Sequence, residues 1–242
     1  MLRGSNRVKV IRNEPYIQKR SKIGRYVSLA GLGVLLAGML ISFFRPQLIQ
    51  LSFICLLIGF VFSQIGIYYG NRFVRPDRPD EVLTRALKGL DDRWHLYHYQ
   101  LPTPHVLLGP DACYVLSVQQ QSGQVSAQGN KWKQSLGWRR ILAWMAQESI
   151  GNPTQTAQIE VETLERHLHK KLPQVEVPLT PVVVFSNPTV ELNVSDTPVP
   201  VVHAKQLKEW LRGAGKGKGL PSGTRTELLK LFGNGASSTS PG

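Results

Sequence analysis

Two uncharged stretches separated by three residues constrain this chain more than any other feature. Tyr26 to Phe44 and Leu48 to Tyr69 contain no ionisable Asp, Glu, Lys, Arg or His, and only Arg45, Pro46 and Gln47 stand between them. Crossing roughly 30 Å of hydrocarbon takes about 20 apolar residues at ~1.5 Å each, and both stretches reach that length. Pro46 breaks the helix between them. The alternative is a buried helical pair in a soluble protein, but soluble core helices are seldom uncharged on every face for so long. The pattern predicts a two-helix transmembrane hairpin, 26–44 and 48–69. A cleaved leader fits poorly. A long segment precedes the first stretch, no small-x-small site follows it, and a second apolar stretch comes at once.

Small residues mark faces on which helix backbones can approach closely in lipid. Gly59, Ser63, Gly66 and Gly70 form one such stripe, and Ala30, Gly33 and Ala37 form another. The stripes can join the two helices to each other or to a second copy of the chain as a homo-oligomer. Gln50 lies near a helix end, within reach of the interface. Gln64 lies deeper and is expected to bond a partner helix.

Charge orients the hairpin. The formal net charge is +13, and residues 1–70 hold nine Lys and Arg against Glu14 alone. The excess sits before the first stretch (Arg3 to Arg25) and after the second (Arg72, Arg75, Arg78, Arg85). The loop has only Arg45. Positive flanks stay on the cytoplasmic side, so both termini and the main domain are expected there, in a multi-pass protein with two spans. Residues 1–25 read as a basic cytosolic arm. Such an arm draws anionic lipid head groups by about 1 kcal/mol per residue near the surface. The two cysteines, Cys55 and Cys113, give no CxxC and no metal-ligand spacing.

Residues 71–212 are long enough for a domain with its own core. Asp80 can cap a helix to Leu90, with Val82, Leu83, Ala86, Leu87 and Leu90 on one face. A strand over 94–101 follows. His105–Leu108 and Cys113–Val118 flank Gly109-Pro110-Asp111-Ala112, a tight-turn sequence, and predict a buried β-hairpin. Shorter strands are expected over 124–128 and from Trp132, then a helix through Trp138, Ile141, Leu142 and Met145. Asn152-Pro153-Thr154-Gln155 opens a helix whose apolar stripe runs to Leu172 before Pro173. Apolar runs at 182–185, 190–194 and 199–202 predict strands, and 204–212 a short helix. Residues 213–242 read as a flexible Gly/Ser/Lys-rich tail with a short helix over 222–232. Its Gly-Lys run lacks the phosphate-loop spacing.

The order HVLLGPDACYVLSV, QQQSG, GNKW, NPTQ and VVVF resembles the nuclease-related domain (NERD) family over about residues 79–212. Glu81 matches the glutamate common in that family's opening helix. The resemblance implies a restriction-endonuclease-like mixed sheet flanked by helices. It also implies a site with an aspartate before the first hairpin strand and Glu-x-Lys ending the second. Carboxylates there would hold Mg²⁺ against a phosphodiester while the lysine positions water. Counting back from Gly123, those positions are Pro104, Ser117 and Gln119, none of which can do that work. Glu81 and Glu148 are the substitutes to weigh, and Gln155 matches the family's glutamine but is already explained as a cap.

Other constellations are weaker. His167 and His169 point to different helix faces, His95 and His98 suit strand packing, and no nucleophile motif accompanies any Ser-His-Asp set. Lys131, Trp132, Lys133, Trp138, Arg139, Arg140 and Trp144 interleave bases with aromatics. Such a set can grip phosphates and stack on nucleic-acid bases, or sit at a membrane interface; the tryptophans can equally be structural. The sequence therefore leads to a membrane-anchored, catalytically degenerate nuclease-like module that binds or scaffolds, nucleic acid being a candidate partner beside the lipid bilayer. No cofactor is expected. The alternatives are a divergent nuclease, which alone would need Mg²⁺, and a membrane-assembly protein acting through its hairpin.

Overall fold

The computed structural model describes residues 7–135, 149–213, 215–217 and 219–238. Residues 14–78 belong to one compact unit, and the strand before them joins the residues after them in a second.

In the first unit, α1 spans Glu14–Phe44 and α2 spans Ile49–Tyr69, with a 3-10 turn at Pro46–Leu48. Both helices are long and apolar enough to cross a membrane. Their large side chains, Leu32, Phe53 and Phe60 among them, are exposed, while the buried positions are mostly glycine. That inversion suits helices whose backbones touch each other and whose apolar side chains face lipid.

The touching face repeats every seven residues, Gly24, Gly31 and Gly38 on α1 against Ser52, Gly59 and Gly66 on α2. A repeat of 3.5 residues per turn keeps one face inward along both helices. A Cβ placed on Gly24, Gly31 or Gly38 would lie 2.8 Å from the Cβ of Tyr69, Phe62 or Cys55 respectively. The partners run in opposite directions, as antiparallel helices require. The Ser52 hydroxyl donates to the Gly38 carbonyl at 2.7 Å. The expected stripe on α1 does not face α2. Ala30, Gly33 and Ala37 are exposed, and a Cβ on Gly33 or Gly70 would meet nothing within 4 Å. Gly59 and Gly66 do lie in the contact, with Ser63 half-buried beside them.

α1 also begins well before the apolar stretch, so Lys19, Arg20, Lys22 and Arg25 sit on helix rather than on a loose arm. After α2 the chain continues as a wider π turn over Gly70–Val74. Arg20 donates to the Tyr69 hydroxyl at 2.6 Å and lies 5.0 Å from the Tyr16 ring centre, while Arg72 lies 4.0 Å from that of Tyr68. Arg over Tyr is the pairing expected where an apolar segment ends.

The second unit opens with β1, Lys9–Arg12, a further departure from the basic arm. Then follow α3 (Pro79–Ala86), β2 (His95–His98), β3 (His105–Leu108), β4 (Cys113–Gln119), β5 (Gly123–Gln128), β6 (Lys131–Ser135), α4 (Pro153–Lys171), β7 (Leu179–Phe185), β8 (Val190–Ser195), β9 (Val201–His203), α5 (Leu207–Arg212) and α6 (Ser222–Ser238). Six strands pair in the order β1-β2-β3-β4-β7-β9, and three more in the order β6-β5-β8. β3 runs antiparallel to β2 and β4, while β1 with β2, β4 with β7 and β7 with β9 are parallel. The mixed sheet flanked by helices is the architecture the family resemblance implied.

Strand alternation sends side chains to two cores. Tyr114, Leu116, Val182 and Val184 pack with Leu83 and Leu87 from the α3 side and with Leu207 and Leu211 of α5. Cys113 and Val115 pack with Leu164 and Leu168 of α4. Val183 and Phe185 meet Ala157 of α4 and Val125 of β5. At the head of α4, Asn152 accepts from the Gln155 N–H at 3.1 Å, the expected cap.

Two departures have clear causes. β2 stops at His98 because Tyr99 turns to φ 55° and its N–H returns to the Pro104 carbonyl at 2.8 Å, closing a loop. The glycine-rich tail is not a free linker. The Tyr114 hydroxyl donates to the Gly215 carbonyl at 2.7 Å and Gly219 N–H donates to the Asp111 carbonyl at 3.1 Å. A Cβ on Gly217 would collide with Ala112. The chain is thereby led to α6, whose Leu228 and Phe232 are fully buried beside Tyr97 and Val106. The Phe232 and Tyr97 rings meet edge-on at 5.1 Å.

Phe232→Ala is expected to cost about 3–5 kcal/mol in chemical denaturation, as for a buried core aromatic; a free tail would show no change. In detergent micelles, Gly31→Leu is expected to lower the thermal midpoint of the full chain by several degrees and Gly33→Leu to leave it unchanged.

Candidate functional site

The end of β4 holds the positions the resemblance marks. In the parallel ladder Ser117 lies against Val183 and Gln119 against Phe185. Val106 pairs with Val115, and carrying that register on by two residues sets Pro104 level with Ser117. Alternation then gives Pro104, Ser117 and Gln119 one face, the face α4 packs on. Ser117 and Gln119 lie on β4 itself, and Pro104 immediately precedes β3 beside it. Ser117 is 1% exposed. The Gln119 carbonyl is held by the Ser186 N–H at 2.8 Å and the Ser186 hydroxyl at 3.1 Å. Neighbouring oxygens are neutral too. Thr103 Oγ1 and Gln121 Oε1 are buried without a hydrogen-bond partner among the described residues. Pro104, Ser117 and Gln119 supply a hydroxyl and an amide, and no carboxylate is among them. Hard divalent cations such as Mg²⁺ are held by carboxylates and water, so these residues do not fit one.

Glu81 cannot join them. It sits on α3, whose leucines pack against the opposite face of the sheet, and Arg12 Nη1 donates to Glu81 Oε1 at 2.6 Å. Arg12 Nη1 also lies 3.6 Å from Asp80 Oδ2, whose side chain is fully buried. Glu148 lies outside the described residues.

Sequence reasoning missed what surrounds Arg12. His98 and His105 pair across β2 and β3, both side chains on the α3 face, with Nδ1 to Nδ1 at 2.9 Å. The Thr84 hydroxyl donates to the Asp80 carbonyl at 2.7 Å and accepts from Arg12 Nη2 at 2.9 Å. Its proton is therefore spent, and His98 Nε2, 3.2 Å away, donates to it. The other ring nitrogen, His98 Nδ1, shares a hydrogen bond with His105 Nδ1. The relay runs His105 to His98 to Thr84 to Asp80. Arg12 is the last residue of β1 and Asp80 the second of α3. The chain therefore leaves this unit and re-enters it at neighbouring points, clipped by one guanidinium. The signal was legible only as alternation that sets His98 and His105 on one face.

The basic-aromatic set divides. Lys131 and Lys133 are exposed on β6, and Trp132 between them points inward. Its Nε1–H donates to Thr154 Oγ1 at 3.0 Å and its ring stacks on Phe185 at 6.1 Å. Trp132 therefore seats the head of α4 and is not free to stack on a base. Trp138, Arg139, Arg140 and Trp144 lie outside the described residues. Burial pushes the Cys113 thiol up to about 12, so it stays protonated and unreactive at neutral pH. Burial, then Lys171 and Lys170, lowers the pKa of His167. Among the described residues no group of three His, Cys, Asp or Glu could hold a metal ion.

Arg12→Ala removes the cation beside a buried carboxylate and is expected to destabilise the chain by roughly 3 kcal/mol in denaturant titration. A catalytic role for Glu81 alone would leave stability unchanged.

No curated protein and no solved structure matches the chain. Residues 80–186 match the family model described as the nuclease-related domain. That segment runs from the Asp80 of the Arg12 clip, through the end of β4, to the serine that holds the Gln119 carbonyl. Over residues 80–186, then, this chain carries a nuclease-related domain, with two helices long and apolar enough to span a membrane ahead of it.

Proposed function

We propose that the chain is a two-span membrane protein whose cytoplasmic nuclease-related domain binds nucleic acid without cutting it. The observation that carries this reading is the donor set at the end of β4. Where the family's chemistry calls for two carboxylates and a lysine, the chain has Pro104, a buried Ser117 and Gln119. Metal-assisted hydrolysis needs a metal to polarise phosphate and generate hydroxide, and Pro104, Ser117 and Gln119 supply no carboxylate to hold one. Glu81, the substitute within the described residues, is committed to Arg12 on the other side of the sheet.

Binding is supported by charge. The chain is +13 overall, and Lys131 and Lys133 project from β6 on a strand whose tryptophan is anchored inside. Phosphate attraction of this kind is sequence-independent and salt-sensitive. The basic residues of α1 and of the turn after α2 flank the apolar spans, where anionic head groups would meet them. Under the positive-inside rule this distribution supports a cytoplasmic domain.

The test uses the full chain in lipid nanodiscs with labelled single- and double-stranded DNA and RNA. Salt is titrated with EDTA and then with Mg²⁺ or Mn²⁺. Salt-dependent binding without cleavage is expected. The double substitution Lys131→Glu and Lys133→Glu should flatten the slope of log affinity against log salt by about 1–2. Cleavage that appears with metal would overturn the inactive reading. Absence of binding at low salt would overturn the nucleic-acid reading.

A further inference from the structure

We propose that a second copy of this chain covers the face of α2 that carries Gln64, the two Gln64 amides closing a reciprocal pair inside the bilayer. This rests on the membrane reading above. Gln64 lies five residues before Tyr69 within an uncharged stretch, which is about 8 Å deeper at ~1.5 Å per residue. It is exposed, on the side of α2 away from the heptad face of Gly59 and Gly66. Its amide offers two donors and an acceptor, and it makes no hydrogen bond among the described residues. Its neighbours on that side, Leu57, Phe60, Val61 and Tyr68, are exposed too.

An amide left bare in hydrocarbon costs several kcal/mol. Reaching back to the nearer head groups works against geometry. Side chains on a helix tilt toward its N-terminus, and for α2 that direction leads from the Tyr69 end further into the membrane. The internal hairpin contact cannot absorb Gln64, because that contact is already filled by glycines, Ser52, Leu35 and Phe62.

Symmetry identifies the occupant. The basic flanks give every copy the same orientation. A two-fold axis along the bilayer normal then brings Gln64 against Gln64 at the same depth. Each Nε2–H donates to the other's Oε1, so one residue supplies both halves of the bond. A foreign helix would need its own polar group at that level. The stripe of Ala30, Gly33 and Ala37 offers only small apolar surface, and nothing polar on it demands a partner.

The experiment uses the full chain, labelled at its amino terminus with donor or acceptor dye and reconstituted in phosphatidylcholine–phosphatidylglycerol liposomes. Flotation comes first, and protein that does not float with the liposomes overturns the membrane reading itself. In floated samples, energy transfer is followed as lipid dilutes the protein. Wild type is expected to transfer. Gln64→Leu is expected to weaken association roughly tenfold, the factor that ~1.4 kcal/mol of membrane hydrogen bonding carries. Gln64→Asn should retain part of it, and Gly33→Leu should change nothing. Floated wild type without transfer overturns the proposal, as does transfer that survives Gln64→Leu. Equal loss in Gln64→Asn and Gln64→Leu overturns the amide pairing, and loss in Gly33→Leu alone assigns the contact to the small-residue stripe.

Discussion

A strand buried on both faces and paired along both edges cannot carry an uncompensated charge, because burying an ion without a partner costs far more than a domain's net stability. β4 is such a strand from Cys113 to Ser117. It pairs with β3 on one side and β7 on the other, and both cores of the α/β unit are built on its alternating side chains. A carboxylate at Ser117 would need a metal or a cation to neutralise it, and a serine does not. Ser186 closes on the Gln119 carbonyl, and Trp132 locks the head of α4 over Phe185. The strand end that the family resemblance marks is thus held by neutral hydrogen bonds and ring packing.

The opposite face shows how charge is tolerated in this fold when it is paired. Asp80 is fully buried, but Arg12 lies beside it and also holds Glu81. The histidine pair joins this cluster through Thr84, whose hydroxyl lies 3.2 Å from His98 Nε2. Because Arg12 ends the strand before α1 and Asp80 lies just after the π turn that follows α2, the same interaction fixes where the chain leaves and rejoins the domain.

Much of this was legible. The uncharged runs announce both long helices, and the Asn152-Pro153 cap announces α4. The turn at Gly109–Ala112 announces the β3–β4 hairpin, and the order of these pieces implies the mixed sheet. The candidate site was legible as three neighbouring positions, because strand register is a matter of counting. Other features were not. The tail read as a linker because glycine signals flexibility in isolation, yet Gly215, Gly217 and Gly219 are held against Tyr114, Ala112 and Asp111. Ala30, Gly33 and Ala37 read as a packing stripe because spacings of three and four were favoured over seven. Trp132 read as a base-stacking candidate because its hydrogen bond to Thr154 spans an intervening segment of chain.

By itself the sequence determined most helices and strands of residues 79–212, where the membrane-length helices lie and which positions the family resemblance marks. These are local properties, set by apolar run length, capping residues and strand period over a few neighbouring residues. Tertiary structure alone decided which faces meet. It put Gly31 against Phe62, Arg12 against Asp80 and Phe232 against Tyr97, and it set Glu81 across the sheet from Ser117. Those contacts join residues far apart in the chain. Their free energy depends on shape and burial that exist only once both partners are folded, so no local pattern encodes them.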